Sequence, residues 1–169
     1  MNYHNITKND MNNGDGIRVV LWLAGCEHHC EDCQNPQTWN YDSGIPFDEK
    51  AQSEILDELN KDYVAGITLS GGDPFAPKNR KEVKKFINLI HFWYPDKTIW
   101  IYTGYTYEQL LFEGDFDCVS ALSLSDVLVD GKYMKSLRDV SLKWRGSKNQ
   151  RVIDIQKSFN SGIAVLHCD

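Results

Sequence analysis

Cys26, Cys30 and Cys33 bring three soft sulfur ligands together within eight residues. A Cys-x3-Cys-x2-Cys loop is open to two metal chemistries. Structural zinc takes four ligands, and His28, His29 or His167 would complete a Cys3His set. An iron–sulfur cube also takes four, one per iron, so a cube on three cysteines keeps one iron free for a small molecule. Plain or redox-active thiols are the third reading of the spacing. Zinc modules usually draw on two separated pairs, and this chain has no second Cys-x2-Cys. Cys118 and Cys168 stand alone and are expected to be buried, unreactive thiols. In a reducing compartment five such cysteines do not make a disulfide framework.

A second motif bears on the choice. Ser70-Gly71-Gly72-Asp73-Pro74 is a good turn by itself. It also has two glycines that let a backbone come close, and a carboxylate able to pair with an ammonium group. A loop of that kind beside the cysteines could hold an amino-acid moiety.

The elements around these loops read as alternating strands and helices. Residues 17–24 are apolar and partly β-branched apart from Arg18, as in a strand covered on both faces. Asp48 caps a helix running to about residue 61, with Ala51, Ile55, Leu56 and Leu59 on one face. Residues 65–70 form a second buried strand. Asn79 caps the next helix, in which Val83, Phe86, Ile87, Ile90 and Trp93 recur at helical spacing until Pro95 stops it. Residues 98–102 form a third strand, and Thr106 with Gln109 makes a capping box for a short helix carrying Leu110 and Leu111. Residues 126–129 are a fourth strand, with weaker strands at 151–155 and 163–166. Such alternation implies parallel strands joined by right-handed crossovers, with ligands at the strands' carboxyl ends. The cysteine loop, Gly71-Gly72-Asp73, Thr103-Gly104-Tyr105 and Asp130-Gly131-Lys132 all fall at that edge. The elements are too few for a closed eight-stranded barrel, so an α/β partial (open) βα barrel of parallel strands is expected.

The chain has 169 residues, 41% of them hydrophobic, enough for one globular domain. No apolar run approaches the roughly 20 residues of a membrane helix, and the first residues do not read as a secretory signal. A soluble, cytoplasmic protein is expected. The net charge of −6 argues against a general nucleic-acid binder. The charge is uneven: residues 132–169 hold eight basic groups against three acids, leaving ten basic against twenty-one acidic before them. That basic stretch is either a solvated face or a docking surface, with Lys135, Arg138 and Lys148 as its candidates.

Taken together, the cysteine loop after the first strand and Ser-Gly-Gly-Asp-Pro after the second resemble the radical S-adenosylmethionine (SAM) enzymes. Asn13-Gly14-Asp15-Gly16-Ile17-Arg18 resembles the turn into the first strand of glycyl-radical activases. Thr103-Gly104-Tyr105, Val127-Leu128-Val129-Asp130-Gly131-Lys132 and Trp144-Arg145-Gly146-Ser147-x-Asn149-Gln150 follow in order. The series resembles the activating proteins of anaerobic (class III) ribonucleoside-triphosphate reductases from Met1 to about Ile155. It implies a single radical SAM domain over residues 1–155, followed by a C-terminal tail over 156–169.

The resemblance implies a [4Fe-4S] cluster on Cys26, Cys30 and Cys33, with SAM on the fourth iron through its amino and carboxylate groups. Gly71, Gly72 and Asp73 would hold the methionine moiety, Asp32, Cys33 and Gln34 would line the SAM pocket, and Asp130 and Lys132 would add contacts. Thr103 and Tyr105 are weaker candidates for shaping the pocket. Arg145, Asn149 and Gln150 belong to the family signature without a role that chemistry alone supplies. The chain departs from the family's pattern at Asp15, where Pro is usual, at Asp32 for a common Gly, and at Gln34 for a common aromatic. Adenine would then meet the Gln34 amide, or Trp39 or Tyr41.

The implied reaction starts with an electron donor such as flavodoxin reducing the cluster. The SAM sulfonium accepts the electron and the bond to the 5′ carbon breaks. The 5′-deoxyadenosyl radical then takes a hydrogen from a glycine of the anaerobic ribonucleoside-triphosphate reductase. Methionine, 5′-deoxyadenosine and a stored glycyl radical result, with no side chain acting as base or nucleophile. The rivals are activation of another glycyl-radical enzyme such as pyruvate formate-lyase, and a non-catalytic zinc-stabilised binding module. No nucleic acid or membrane partner is expected.

Overall fold

The computed structural model describes residues 1–168. Eight strands form one sheet: β1 (Asn2–Asp10), β2 (Ile17–Leu23), β3 (Ile45–Pro46), β4 (Val64–Gly71), β5 (Thr98–Tyr102), β6 (Val127–Asp130), β7 (Arg151–Asp154) and β8 (Val165–Leu166). Their order across the sheet is β3-β1-β2-β4-β5-β6-β7-β8. The central β2, β4, β5 and β6 are parallel, as expected. The flanking strands are all antiparallel, so the sheet is mixed, and among the described residues no closed barrel forms.

Five helices accompany the sheet: α1 (Glu49–Leu59), α2 (Arg80–Trp93), α3 (Tyr107–Phe112), α4 (Phe116–Ser123) and α5 (Ile155–Ser161). Asp48 caps α1 by accepting from the Ala51 N–H, and Thr106 with Gln109 closes the expected capping box on α3. Asn79 precedes α2 but does not cap it, since its amide is used between loops. Val83, Phe86, Ile87 and Ile90 are buried, each such side chain stabilising by roughly 1.5–3 kcal/mol. Trp93 is not on that face: it is exposed and meets Phe92 edge-on. Helix α4, which the hydrophobic spacing did not reveal, is capped by Asp115 accepting from the Cys118 N–H. No helix among the described residues is long and apolar enough to cross a membrane.

The sheet's two faces have different fates. Alternate strand residues such as Val19, Leu21, Ile67, Leu69, Ile99, Ile101, Leu128 and Ile153 pack against all five helices as the main core. On the opposite face Trp100, Val127, Val129 and Val152 form a small second cluster with Tyr102, Trp144 and Cys168. Among the described residues no α-helix covers this face; the 11–16 turn, the 139–147 loop and residues 167–168 do. Arg18 lies buried there. Its Nε donates to Thr68 Oγ1 (2.8 Å), Nη1 to Thr98 Oγ1 (2.8 Å) and Asp15 O (3.0 Å), and Nη2 to Ile67 O (2.6 Å) and Thr98 O (2.9 Å).

Asp15 fastens the end of the chain to this face. His167 Nε2 donates to its Oδ2 (2.7 Å), and Lys143 Nζ lies 3.6 Å from Oδ1. The His167 hydrogen bond, helped by Lys143, holds the Asp15 carboxyl below its ordinary value of 3.8. The unfolded chain therefore binds the proton more readily, so this contribution is complete above pH 3.8 and is lost as pH falls through the folded value. Urea midpoints measured from about pH 5 down to about pH 3 should fall more steeply for the natural chain than for Asp15→Asn.

Candidate functional site

The cysteine loop leaves β2 and is held by backbone bonds. Gly25 N–H donates to Thr38 O (2.7 Å) and Cys26 N–H to Trp39 O (3.0 Å). Inside the loop His29 and Asp32 adopt left-handed backbone at φ 47° and 56°, a region that His and Asp enter more readily than most side chains and that turns the loop sharply. Cys33 N–H donates to Cys30 O (3.2 Å), and Cys33 Sγ accepts from the Asn35 N–H (3.3 Å).

The loop after β4 meets it directly. Gly72 N–H donates to Leu23 O (2.8 Å) and Asp73 N–H to Gly25 O (2.7 Å). A Cβ on Gly72 would stand 2.6 Å from the Gly25 oxygen, so this glycine lets two loops touch. Asn79 Nδ2 adds a tie by donating to Ala24 O (2.9 Å) and Asp73 O (3.1 Å).

The buried Asp73 carboxylate joins three loops. Thr103 Oγ1 donates to Oδ1 (2.9 Å) and Oδ2 (3.0 Å), Gly104 N–H to Oδ2 (2.9 Å), and Phe75 N–H to Oδ1 (2.8 Å). His28, with its proton on Nε2, donates to Oδ2 (2.6 Å) and packs edge-on against Tyr105. The carboxylate expected to meet an ammonium group is thus satisfied within the chain.

These loops enclose a cavity of about 350 Å3 at the carboxyl ends of the parallel strands. Cys26, Cys30, Cys33, Gln34, Gly71, Gly72 and Asp73 line it, so seven of the sequence-selected residues come together, Thr103 with them. Three others do not. Asp32 is exposed and its carboxylate pairs with Lys135 Nζ (2.9 Å). Asp130 is buried, accepting from Arg151 Nε (3.1 Å) and the Tyr107 N–H (2.8 Å). Lys132 is exposed outside the lining, with its charge felt at Cys30. Trp39 packs on His29 and Tyr41 covers Gly25, so neither lines the cavity beside Gln34. Cys118 is buried as expected, its thiol pushed up to about 12 by burial, whereas Cys168 is only partly buried.

Sequence reasoning missed Trp22, Tyr102 and Tyr133 in the lining. Trp22 and Tyr102 occupy alternate positions near strand ends, which was the available signal. The family-signature residues now have places. Gln150 Oε1 accepts from the Gly146 (3.0 Å) and Ser147 (3.1 Å) N–H groups while its Nε2 donates to Gly131 O (3.0 Å). Asn149 Nδ2 donates to Lys132 O (2.7 Å). Together they bind the 144–147 turn to the loop after β6, and Trp144 and Arg145 line the cavity.

The donor set suits an iron–sulfur cube. Burial raises the Cys26 thiol to about 11 and the Cys30 thiol likewise upward, so both need a cation to become thiolates. A lone zinc ion would draw thiolates to a single point at about 2.3 Å. Among the described residues no three His, Cys, Asp or Glu side chains converge that way. A cube gives each thiolate its own iron. Of the zinc candidates, His28 is engaged by Asp73, His29 packs on Trp39, and His167 is bonded to Asp15.

Comparison with known proteins agrees with that chemistry. A family model described as a 4Fe-4S single cluster domain matches residues 12–153. A protein of Enterobacteria phage T4 is 43% identical over 152 residues, covering 90% of this chain and 93% of its own. One from Escherichia coli (strain K12) is 41% identical over 154 residues (90% and 97%), and one from Pasteurella multocida is 40% identical over 152 (89% and 95%). All three are named anaerobic ribonucleoside-triphosphate reductase-activating protein.

Removing the Asp73 carboxylate strands several buried donors, each worth about 1–3 kcal/mol. Asp73→Ala should therefore cost at least ~3 kcal/mol in urea unfolding of the reduced, metal-free chain. Asp73→Asn, which retains an acceptor oxygen, should cost less.

Proposed function

This chain belongs to the family of anaerobic ribonucleoside-triphosphate reductase-activating proteins, and from that premise we propose that it generates the glycyl radical of such a reductase by reductive cleavage of SAM. The observation that carries this reading is one cavity, at the carboxyl ends of parallel strands, lined by all three clustered cysteines and by Gly71, Gly72 and Asp73. We read the four parallel strands, with helices on one face, as the core of an open, partial βα barrel of the radical SAM type. Residues 1–155 form its domain and the tail beyond them completes one edge.

A [4Fe-4S] cluster on Cys26, Cys30 and Cys33, when bound, would supply one low-potential electron to the SAM sulfonium, breaking the bond to the 5′ carbon so that methionine leaves and the nucleoside radical takes a hydrogen atom from the partner's glycine. The protein's own work is positional. Gly71 and Gly72 present backbone to the methionine end of SAM, and Cys33 and Gln34 border the adenosine. Asp73 acts through the loops it joins. Asp130 acts through Arg151, which it fixes beside Tyr107. Lys132 sits behind Cys30, and Asp32 holds the cysteine loop to Lys135. No group in the cavity has to move a proton, so the site's task is to fix distances and exclude water. We assign the cytoplasm as the compartment and a flavodoxin-like protein as the electron donor.

Anaerobically reconstituted protein should contain iron and acid-labile sulfide and, with SAM and dithionite, should release 5′-deoxyadenosine. Cys30→Ala should reduce that release at least a hundredfold. Adding anaerobic ribonucleoside-triphosphate reductase should give a glycyl-radical signal in electron paramagnetic resonance, and pyruvate formate-lyase should not. About one zinc per chain in place of iron would rule the reading out.

A further inference from the structure

Two buried donors in the cavity wall have no acceptor. Trp144 Nε1 and Arg145 Nε are shielded from solvent, and neither makes a hydrogen bond among the described residues. Among the described residues Arg145 makes one hydrogen bond, from Nη1 to Gln150 O (2.9 Å), and no ion pair. A cation that cannot lose its proton thus borders the cavity with no carboxylate paired to it among the described residues. Trp144 is also strained: its φ of 62° is left-handed, which a bulky aromatic residue rarely tolerates. Its ring is wedged edge-on against Trp100, at a centroid distance of 5.9 Å. Unpaired donors, an unpaired charge and backbone strain coincide in two consecutive residues, and a ligand bearing acceptor oxygens would satisfy the donors once a side-chain shift opens them to the cavity.

Their depth indicates which ligand. Trp100 pairs with Thr68 across the sheet, and Thr68 lies three residues before Gly71 on β4. At about 3.3 Å per residue, the backbone of Trp100, on whose ring Trp144 packs, lies roughly 10 Å below Gly71. SAM anchored at the cysteines by its amino and carboxylate groups keeps its anionic acceptor at that edge, and its adenosine half offers only neutral hydroxyl and ring-nitrogen acceptors. A glycine entering the cavity has no side chain to be recognised. It can be positioned only through the peptide groups on either side of it, and their carbonyls accept from N–H donors.

We propose that Trp144 and Arg145 are specificity-determining residues that donate to main-chain carbonyls of the reductase's glycine-bearing segment and so place its Cα–H before the nucleoside radical. This rests on the functional reading above. Asn149 and Gln150 serve as positioning residues, because they hold the turn that carries both donors.

Holoenzyme carrying Trp144→Phe, Arg145→Gln or both is mixed with reductase, SAM and dithionite. Glycyl radical by spin counting and 5′-deoxyadenosine by chromatography are measured together, so any change in SAM cleavage cancels in their ratio. The ratio should fall about tenfold in the double variant and less in each single one. The SAM dissociation constant, measured by equilibrium dialysis, should move less than threefold. An unchanged ratio would overturn the proposal. A tenfold loss of SAM affinity would overturn it too, assigning the donors to SAM itself. No 5′-deoxyadenosine from the unsubstituted holoenzyme would refute the functional reading itself, and this proposal with it.

Discussion

The site depends first on the buried carboxylate of Asp73. A charge out of water is costly unless its lone pairs are met, and here donors from the cysteine loop, its own loop and the loop after β5 meet them. None of those loops can drift without stranding the charge, so the three hold their places together. Gly104 belongs to the same arrangement: a Cβ there would fall on the His28 ring. Neither the spacing of the cysteines nor the glycine pair creates a cavity alone. The carboxylate makes both converge.

A buried cation sets the far end. Arg18 interrupts an apolar strand, and its donors collect Thr68, Ile67, Thr98 and the Asp15 carbonyl while Trp100 stacks 5.3 Å from its centre. Among the described residues no carboxylate touches it. Burial lowers its pKa to about 10, which still leaves it protonated at neutral pH. The guanidinium fastens the 11–16 turn over the sheet, and the Trp100 ring it stacks on also receives Trp144. An anion thus organises the rim of the cavity and a cation its deep wall, each satisfied by neutral dipoles.

What the sequence made legible was local. The four parallel strands are runs of β-branched and apolar residues, and the caps of α1 and α3 lie within three residues of what they bond. The cysteines and Gly71-Gly72 were readable because their chemistry is encoded in spacing. Strand β1 was not, since its mostly polar sequence lacks a clean alternation, and α4 is a short helix whose apolar residues show no clear period. Asn79 was misread because a helix-start signal is local, whereas its partners are Ala24 and Asp73. The same holds for the second-half signature. Gln150 gains its meaning only beside Gly131, and Trp144 only beneath Trp100. Long-range pairing, not residue type, decides those roles.

The uneven charge of the chain resolves into ion pairs between the basic segment and the rest of the fold. Lys135 reaches back to Glu31 and Asp32 on the cysteine loop, Lys143 to Asp15, and Arg151 to Glu108 and Asp130. Lys148 pairs with Asp139. Of the three residues considered for docking, Arg138 alone has no ion pair among the described residues. The basic segment therefore closes on the acidic body more than it faces outward. Exposed pairs of this kind contribute only about 0.2–1 kcal/mol each, too little to lock a wall but enough to set its register. Gln150 and Asn149 make the 144–150 turn and the loop after β6 one unit, anchored by Trp144 on Trp100 and tied to the cysteine loop by rim pairs such as those of Lys135. The Asp73 junction is held differently, by a buried carboxylate satisfied inside the chain. One wall of the cavity thus rests on a buried charge, and the other on aromatic packing and weak pairs in water.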